Sequence, residues 1–225
     1  DFEPRASTIR DVQTASAIYA IGHGLDGWVT EITPSGIPIV TVDRGIVLRR
    51  AEDDEYGAID PHYWLSVPNA AAIAETVADD LFARFPDSRT RIETNLAVLI
   101  ADLDALDAEI RATLSPVVSK NIITFHEAWY YFTNEYGLTV VGVFEPAPGQ
   151  EPSPRDLAEL LETVRRENIP ALYHEPLFSS AAIAALAREN GLRLASLDDI
   201  GGVPERDSYV SLMRSNARTI ADNQR

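Results

Sequence analysis

The chain has 225 residues, with 35 Asp plus Glu against 19 Lys plus Arg, a formal charge of 19 − 35 = −16 at pH 7. So acidic a surface repels phosphate backbones and anionic headgroups, which excludes nucleic acid and membrane surfaces as expected partners and favours a protein that handles cations. A composition of 45% hydrophobic and 24% charged residues suits one large or two small globular domains, and zero cysteines excludes disulfides, thiolate metal sites and Cys nucleophiles, so any metal site must be built from His and carboxylates.

Short apolar runs alternate with helical patterns from Ser7 onward. Ser16 to Ile21 predicts a strand, Leu25 to Ile32 a helix and Ile37 to Val42 a strand, the alternation of a parallel sheet layered with helices. Ala51 to Asp60 is acidic and poor in apolar residues, which predicts a solvated loop. Asn69 to Phe85 follows as an amphipathic helix with Ile73, Val77, Leu81 and Phe85 at steps of four. From Thr90 to Leu114 one apolar stripe runs through Ile92, Leu96, Leu99, Leu103, Leu106, Ile110 and Leu114. A helix of that length is about 37 Å long, enough to cross from one lobe to another. The alternation then resumes with strand Asn121 to Phe125, helix His126 to Tyr136 stopped by Gly137, and strand Leu138 to Phe144. Ser153-Pro154-Arg155-Asp156 reads as a capped start of a helix running to about Glu167. Strand Ala171 to His174, helix Ser179 to Asn190, strand Leu192 to Leu197 and helix Ser208 to Asn223 complete the pattern. The expected architecture is α/β, with two Rossmann-like lobes joined by one long rigid helix. Its expected parts are residues 1–88 as an N-terminal lobe, 89–114 as the linking helix and 115–225 as a C-terminal lobe. No window has the roughly 18 uncharged apolar residues of a bilayer-spanning helix.

The four histidines are His23, His62, His126 and His174. His126 directly follows strand NIITF, His174 ends ALYH and Asp198 follows RLASL; in open α/β sheets ligands bind outside the carboxyl ends of the strands. A single histidine in such a loop is more often a hydrogen-bonded surface residue than a ligand, so the case rests on combination. His62 sits in Asp60-Pro61-His62-Tyr63-Trp64-Leu65, where a buried imidazole needs a partner, either a divalent metal or a backbone carbonyl.

The strings DPHYWL (60–65), TFHEAWYYFTNEYGL (124–138), PGQEPSP (148–154), YHEPLFS (173–179) and LDDIGG (197–202), followed by Tyr209, Met213 and Asn216 in the last helix, together resemble the zinc and manganese solute-binding proteins of ABC transporters. The resemblance covers essentially the whole chain. It implies two α/β lobes clamping a metal in the cleft between them. The ligands it implies are His62, His126 and Asp198, and a further His that in the family precedes a Phe/Tyr-Glu-Pro string. Since this sequence opens Asp1-Phe2-Glu3-Pro4, without Met or a signal-like leader, that His is expected immediately before Asp1, together with an earlier strand and helix. Glu175 is expected to orient a ligand imidazole from behind, and His23, standing where the family usually has asparagine, is an accessory ligand candidate; no ligand counterpart is expected for His174.

Imidazoles plus one carboxylate suit Zn²⁺, whereas manganese favours more oxygen donors, and manganese members commonly carry Glu at the position of His126. The resemblance therefore implies zinc as the bound ion and a monomeric, non-enzymatic protein of the periplasm, or membrane-tethered outside the cytoplasm in Gram-positive relatives. That protein would capture zinc for a membrane ABC permease. Zinc members often carry a His-rich loop ahead of DPHxWL; here Glu52-Asp53-Asp54-Glu55 stands instead, and members of that kind receive metal in some cases from a periplasmic zinc metallochaperone. The competing readings are a manganese or iron member of the same family, a zinc metallohydrolase and a surface adhesin. The hydrolase would need a general base beside an open coordination position, and no HExxH or comparable motif is present; no exposed apolar string supports the adhesin.

Overall fold

The structure, a computed structural model, describes residues 4–51, 59–145, 152–177 and 181–225. The chain divides into two compact units, residues 1–63 with 69–100, and residues 64–68 with 101–225. The division falls inside the long helix, after Ile100. No helix among the described residues is long and apolar enough to cross a membrane.

In the first unit, α1 (Ala6–Thr14) leads to β1 (Ile18–Ala20), α2 (Trp28–Ile32) and β2 (Ile39–Thr41). The two strands pair in parallel, Ile18 opposite Ile39 and Ala20 opposite Thr41. Helix α1 has no counterpart in the sequence reading; with no buried residue it leaves no apolar signature to read. Next come α3 (Val67–Arg84) and the first half of α4 (Arg89–Leu114), close to the expected bounds. Most of the expected acidic loop lies outside the described residues. Its last member, Asp60, does not fit a solvated loop: it is buried, and its backbone N–H donates to the Arg49 carbonyl at 3.0 Å.

The second unit holds a four-stranded, all-parallel sheet in the order β4-β3-β5-β6, from β3 (Asn121–Thr124), β4 (Thr139–Val143), β5 (Ala171–His174) and β6 (Arg193–Ser196). Helices α5 (Tyr130–Tyr136), α6 (Pro154–Glu167), α7 (Ala181–Glu189) and α8 (Tyr209–Asn223) connect or follow them. Side chains alternate across each strand: Ile123 and Leu172 join Leu160 and Val164 of α6 and Ile183, Leu186 and Ala187 of α7 in one apolar core, so Ile122 and Tyr173 face the other way. The apolar stripe of α4 is buried at Leu103, Leu106, Ile110 and Leu114, while Leu99 is exposed. The expected capping box opens α6: Asp156 N–H donates to Ser153 Oγ, and Ser153 N–H to Asp156 Oδ2 at 2.8 Å.

Residues 126–129 are not helical, contrary to the sequence reading. The carbonyls they would need as acceptors are taken: Phe125 O accepts Glu145 N–H at 2.8 Å and His126 O accepts the Thr124 hydroxyl at 3.0 Å. The first i to i+4 bond therefore runs from Thr133 N–H to Trp129 O, and α5 begins at Tyr130. Gly137 ends it in the left-handed region, as expected.

Between α4 and α8, Arg214 grips the Glu109 carboxylate with two donors, Nε at 2.8 Å and Nη2 at 2.7 Å, and these bonds hold the Glu109 carboxyl below the usual carboxylate range. A lowered folded-state pKa means the contribution is complete above the unfolded glutamate value of about 4.3 and is lost as pH falls through the lowered one. Both side chains are more than a third exposed, so solvent screening limits the pair to about 0.5 kcal/mol. Glu109→Gln is expected to be less stable than the parent by that amount at pH 7, with the gap closing in acid. Urea unfolding at both pH values tests this, and a gap that widens on acidification would contradict it.

Candidate metal centre

In the four-stranded sheet the chain runs from β3 outward through α5 to β4, then crosses back through α6 to β5 and on to β6. Connections leave β3 and β5 in opposite directions, so the crevice at their carboxyl ends is a topological switch point, the usual ligand position in an open parallel sheet. His126 lies two residues past β3 and Glu175 directly past β5, so strand order puts a buried imidazole and a buried carboxylate at that crevice. His126 Nδ1 and Glu175 Oε2 are 2.7 Å apart, and Glu175 Oε1 accepts the Trp129 indole N–H at 3.2 Å. A carboxylate behind one ring nitrogen is the arrangement in which an imidazole offers its other nitrogen to a metal.

The two acids after β6 have different surroundings. Asp198 is the carboxylate chosen in the sequence reading. Its Oδ1 accepts backbone N–H bonds from Ile200 at 3.1 Å and Gly201 at 2.8 Å, and its Oδ2 lies 3.3 Å from Arg206 Nε. Its own backbone is clasped by Asn216, which accepts Asp198 N–H at 3.0 Å and donates to Asp198 O at 2.7 Å. Asp199 supplies the carboxylate oxygen that lies within 4.8 Å of a His126 ring nitrogen. The two adjacent aspartates thus differ in their partners: Asp198 Oδ1 is engaged by the turn's own backbone, and Asp199 is the one of the pair near His126.

The last-helix residues quoted above act on these loops. The Tyr209 hydroxyl donates to Trp64 O at 2.8 Å, and burial, with the Asp107 charge adding, pushes its phenol up, so it stays a neutral donor. Trp64 Nε1–H in turn donates to Asp199 O at 2.8 Å, and Met213 is fully buried. This ties Trp64 and the aspartate turn to one helix.

In the first unit, His62 is buried and held by Asp60. Asp60 Oδ1 accepts the His62 backbone N–H at 3.0 Å and contacts His62 Nδ1 at 2.9 Å, with Arg49 Nη1 at 3.6 Å from Asp60 Oδ2. The rigid D-P-H order thus folds the acid back onto its own histidine, a spacing visible in the sequence whose role was not read from it. His23 stands in the loop after β1 with a left-handed φ of 55°, its Nε2 2.8 Å from Asp43 Oδ2. That pairing gives it a partner other than a metal. His174 is half-buried, with Nδ1 3.4 Å from Glu175 O.

Buried imidazoles, each with Nδ1 against a buried carboxylate, are the donor type that divalent transition metals take. A family model described as "ZnuA: Zinc-uptake complex component A periplasmic" matches residues 1–223. The chain belongs to the ZnuA family. It is 27% identical to the zinc-binding protein AdcA of Streptococcus pyogenes serotype M6, covering 98% of this chain and 48% of that protein. It is 28% identical to the high-affinity zinc uptake system protein ZnuA of Bacillus subtilis, covering 99% of this chain and 76% of that protein. A crystal structure of ZnuA superposes with a TM-score of 0.88 at 29% identity, covering 100% of this chain and 85% of that one. The chain spans about half the length of the AdcA relatives. The mixed α/β fold with parallel sheets and a long helix is that of ZnuA-type solute-binding proteins.

Gly201 sits at φ +81°, and a Cβ there would stand 2.8 Å from the Arg206 carbonyl oxygen, a backbone atom that cannot step aside. Gly201→Ala is expected to cost about 1–3 kcal/mol by straining the turn that holds Asp198. Thermal unfolding of the apo protein measures it, and an unchanged melting temperature would show that the turn does not depend on this conformation.

Proposed function

We propose that this chain is a zinc-capture protein that binds Zn²⁺ outside the cytoplasm and hands it to a membrane ABC permease. It acts by binding and release, without turnover. The observation that carries the reading is the buried His126 with Nδ1 against Glu175 and an Asp199 oxygen within 4.8 Å of one of its ring nitrogens. Membership in a family described as a zinc-uptake component and relatives named for zinc binding support it. His62, with its own carboxylate behind it, is proposed as a further imidazole donor.

Asp199 is the proposed carboxylate donor of the second unit, and Asp198 is proposed to build the turn that carries it. Neutral nitrogen donors with one carboxylate favour zinc over manganese, which seeks more oxygen. The strongly acidic surface, −16 overall, raises the local concentration of cations whatever the ligand set.

The test is zinc affinity by competition with a chromophoric chelator, alongside apo melting temperature. His126→Ala, His62→Ala and Asp199→Ala are each expected to bind zinc about 10-fold or more weakly with little change in apo melting. Asp198→Ala should chiefly lower apo stability, by about 1–3 kcal/mol, because two backbone donors and the Arg206 guanidinium lose their acceptor. Unchanged zinc affinity in His126→Ala would remove the site; tighter binding of manganese than zinc, or turnover of esters or peptides, would remove the function.

A further inference from the structure

We propose that Trp129 is a positioning residue for metal binding, acting on His126 through Glu175. The inference rests on the reading of His126 as a zinc ligand and goes beyond it by naming a residue that touches no ligand atom. Glu175 is 1% exposed, and its two oxygens face different partners: Oε1 accepts the Trp129 indole N–H at 3.2 Å, and Oε2 stands 2.7 Å from His126 Nδ1. A free carboxylate rotates about its last bond. This one is pinned by an indole that is itself fixed, since Trp129 is fully buried, packs edge-on against Phe132 with ring centroids 5.9 Å apart, and supplies the first acceptor carbonyl of α5.

The chemistry of the donor matters as much as its rigidity. Indole N–H donates and cannot accept, so it fixes which oxygen is left for the histidine and exchanges no proton with it. A carboxylate oxygen held at Nδ1 sets the imidazole tautomer, leaves the Nε2 lone pair for a cation and makes that nitrogen a stronger donor. The backbone of His126 is held separately, by the Thr124 hydroxyl on its carbonyl. Changes at Trp129 or Glu175 therefore act on the ring and not on the course of the loop.

A double-substitution cycle tests this. Glu175→Gln offers one acceptor oxygen and one NH₂ group, so an amide donor must oppose either the indole N–H or His126 Nδ1–H. Zinc binding is expected to weaken by about 10-fold or more in that variant, and by about 3–10-fold in Trp129→Phe, which keeps an aromatic ring and removes the donor. In the combined variant the amide is free to turn its oxygen to His126, so it is expected to bind zinc more tightly than Glu175→Gln alone. The ligand-field absorption of the Co²⁺-loaded protein should shift in Trp129→Phe, reporting an altered imidazole. Phe132→Leu is the control: it disturbs the same packing without touching Glu175, and should lower apo melting while leaving zinc affinity within about 2-fold. Additive losses in the combined variant, or a Phe132→Leu loss equal to that of Trp129→Phe, would overturn the proposal. If His126→Ala weakens zinc binding and Trp129→Phe does not, this inference fails alone; if His126→Ala has no effect, the zinc reading falls with it.

Discussion

Parallel pairing of β3 with β5, seen at Ile123 opposite Leu172, is the constraint on which the rest of the second unit depends. These strands are far apart in sequence, and a parallel neighbour requires a long crossover, which the chain supplies through β4 and α6. Once the strands are paired, two sequence positions with nothing in common locally, His126 and Glu175, emerge from the same edge of the sheet. Both are buried, and the 2.7 Å approach of His126 Nδ1 to Glu175 Oε2 sets an imidazole against a carboxylate, a juxtaposition that lowers the cost of burying each.

The apolar core serves the same end. Leu160 and Val164 from α6 and Ile183, Leu186 and Ala187 from α7 close one face of the sheet, and His126, Glu175 and Asp198 follow the carboxyl ends of β3, β5 and β6. Helix α8 adds a polar clamp in addition to apolar packing. Asn216, fully buried, satisfies both backbone groups of Asp198, while Tyr209 and Trp64 link the neighbouring loops by single bonds of 2.8 Å. The aspartate turn and the segment at Trp64 are thus held by named hydrogen bonds in addition to packing, the kind of support a site of fixed geometry requires.

Much of this was legible beforehand. Strand and helix positions follow from periodicity, the Ser153 cap and the Gly137 stop follow from local chemistry, and the long stripe from Thr90 to Leu114 marked α4. The place of His126 after NIITF is read from the sequence, and its 2.7 Å approach to Glu175 is what the fold adds. Residues 126–129 continue in sequence the stretch that Gly137 ends; in the fold the Phe125 carbonyl accepts Glu145 N–H and the first helical bond is made by Trp129 O. Helix α1 was missed because nothing in it is buried. Between the adjacent acids the LDDIGG resemblance points to Asp198, and the proposal of Asp199 instead rests on the Ile200 and Gly201 N–H groups that engage Asp198 Oδ1, three-dimensional partners with no signature of their own. Trp129 carries no signal in the sequence beyond its place in the quoted string, and the direction of its indole N–H toward Glu175 Oε1 is what distinguishes it.

The aspartate pair has an evolutionary corollary. Because scaffolding is concentrated in Asp198 and the approach to His126 in Asp199, the two positions are exposed to different kinds of selection. Drift at residue 198 is purged through folding, whatever ion the protein carries. On the proposed assignment, residue 199 can exchange oxygen for nitrogen or sulfur donors while the turn, the Asn216 clasp and the Arg206 contact stay as they are. A lineage could thus retune which cation it carries by changing one side chain, without first acquiring compensating mutations elsewhere in the fold.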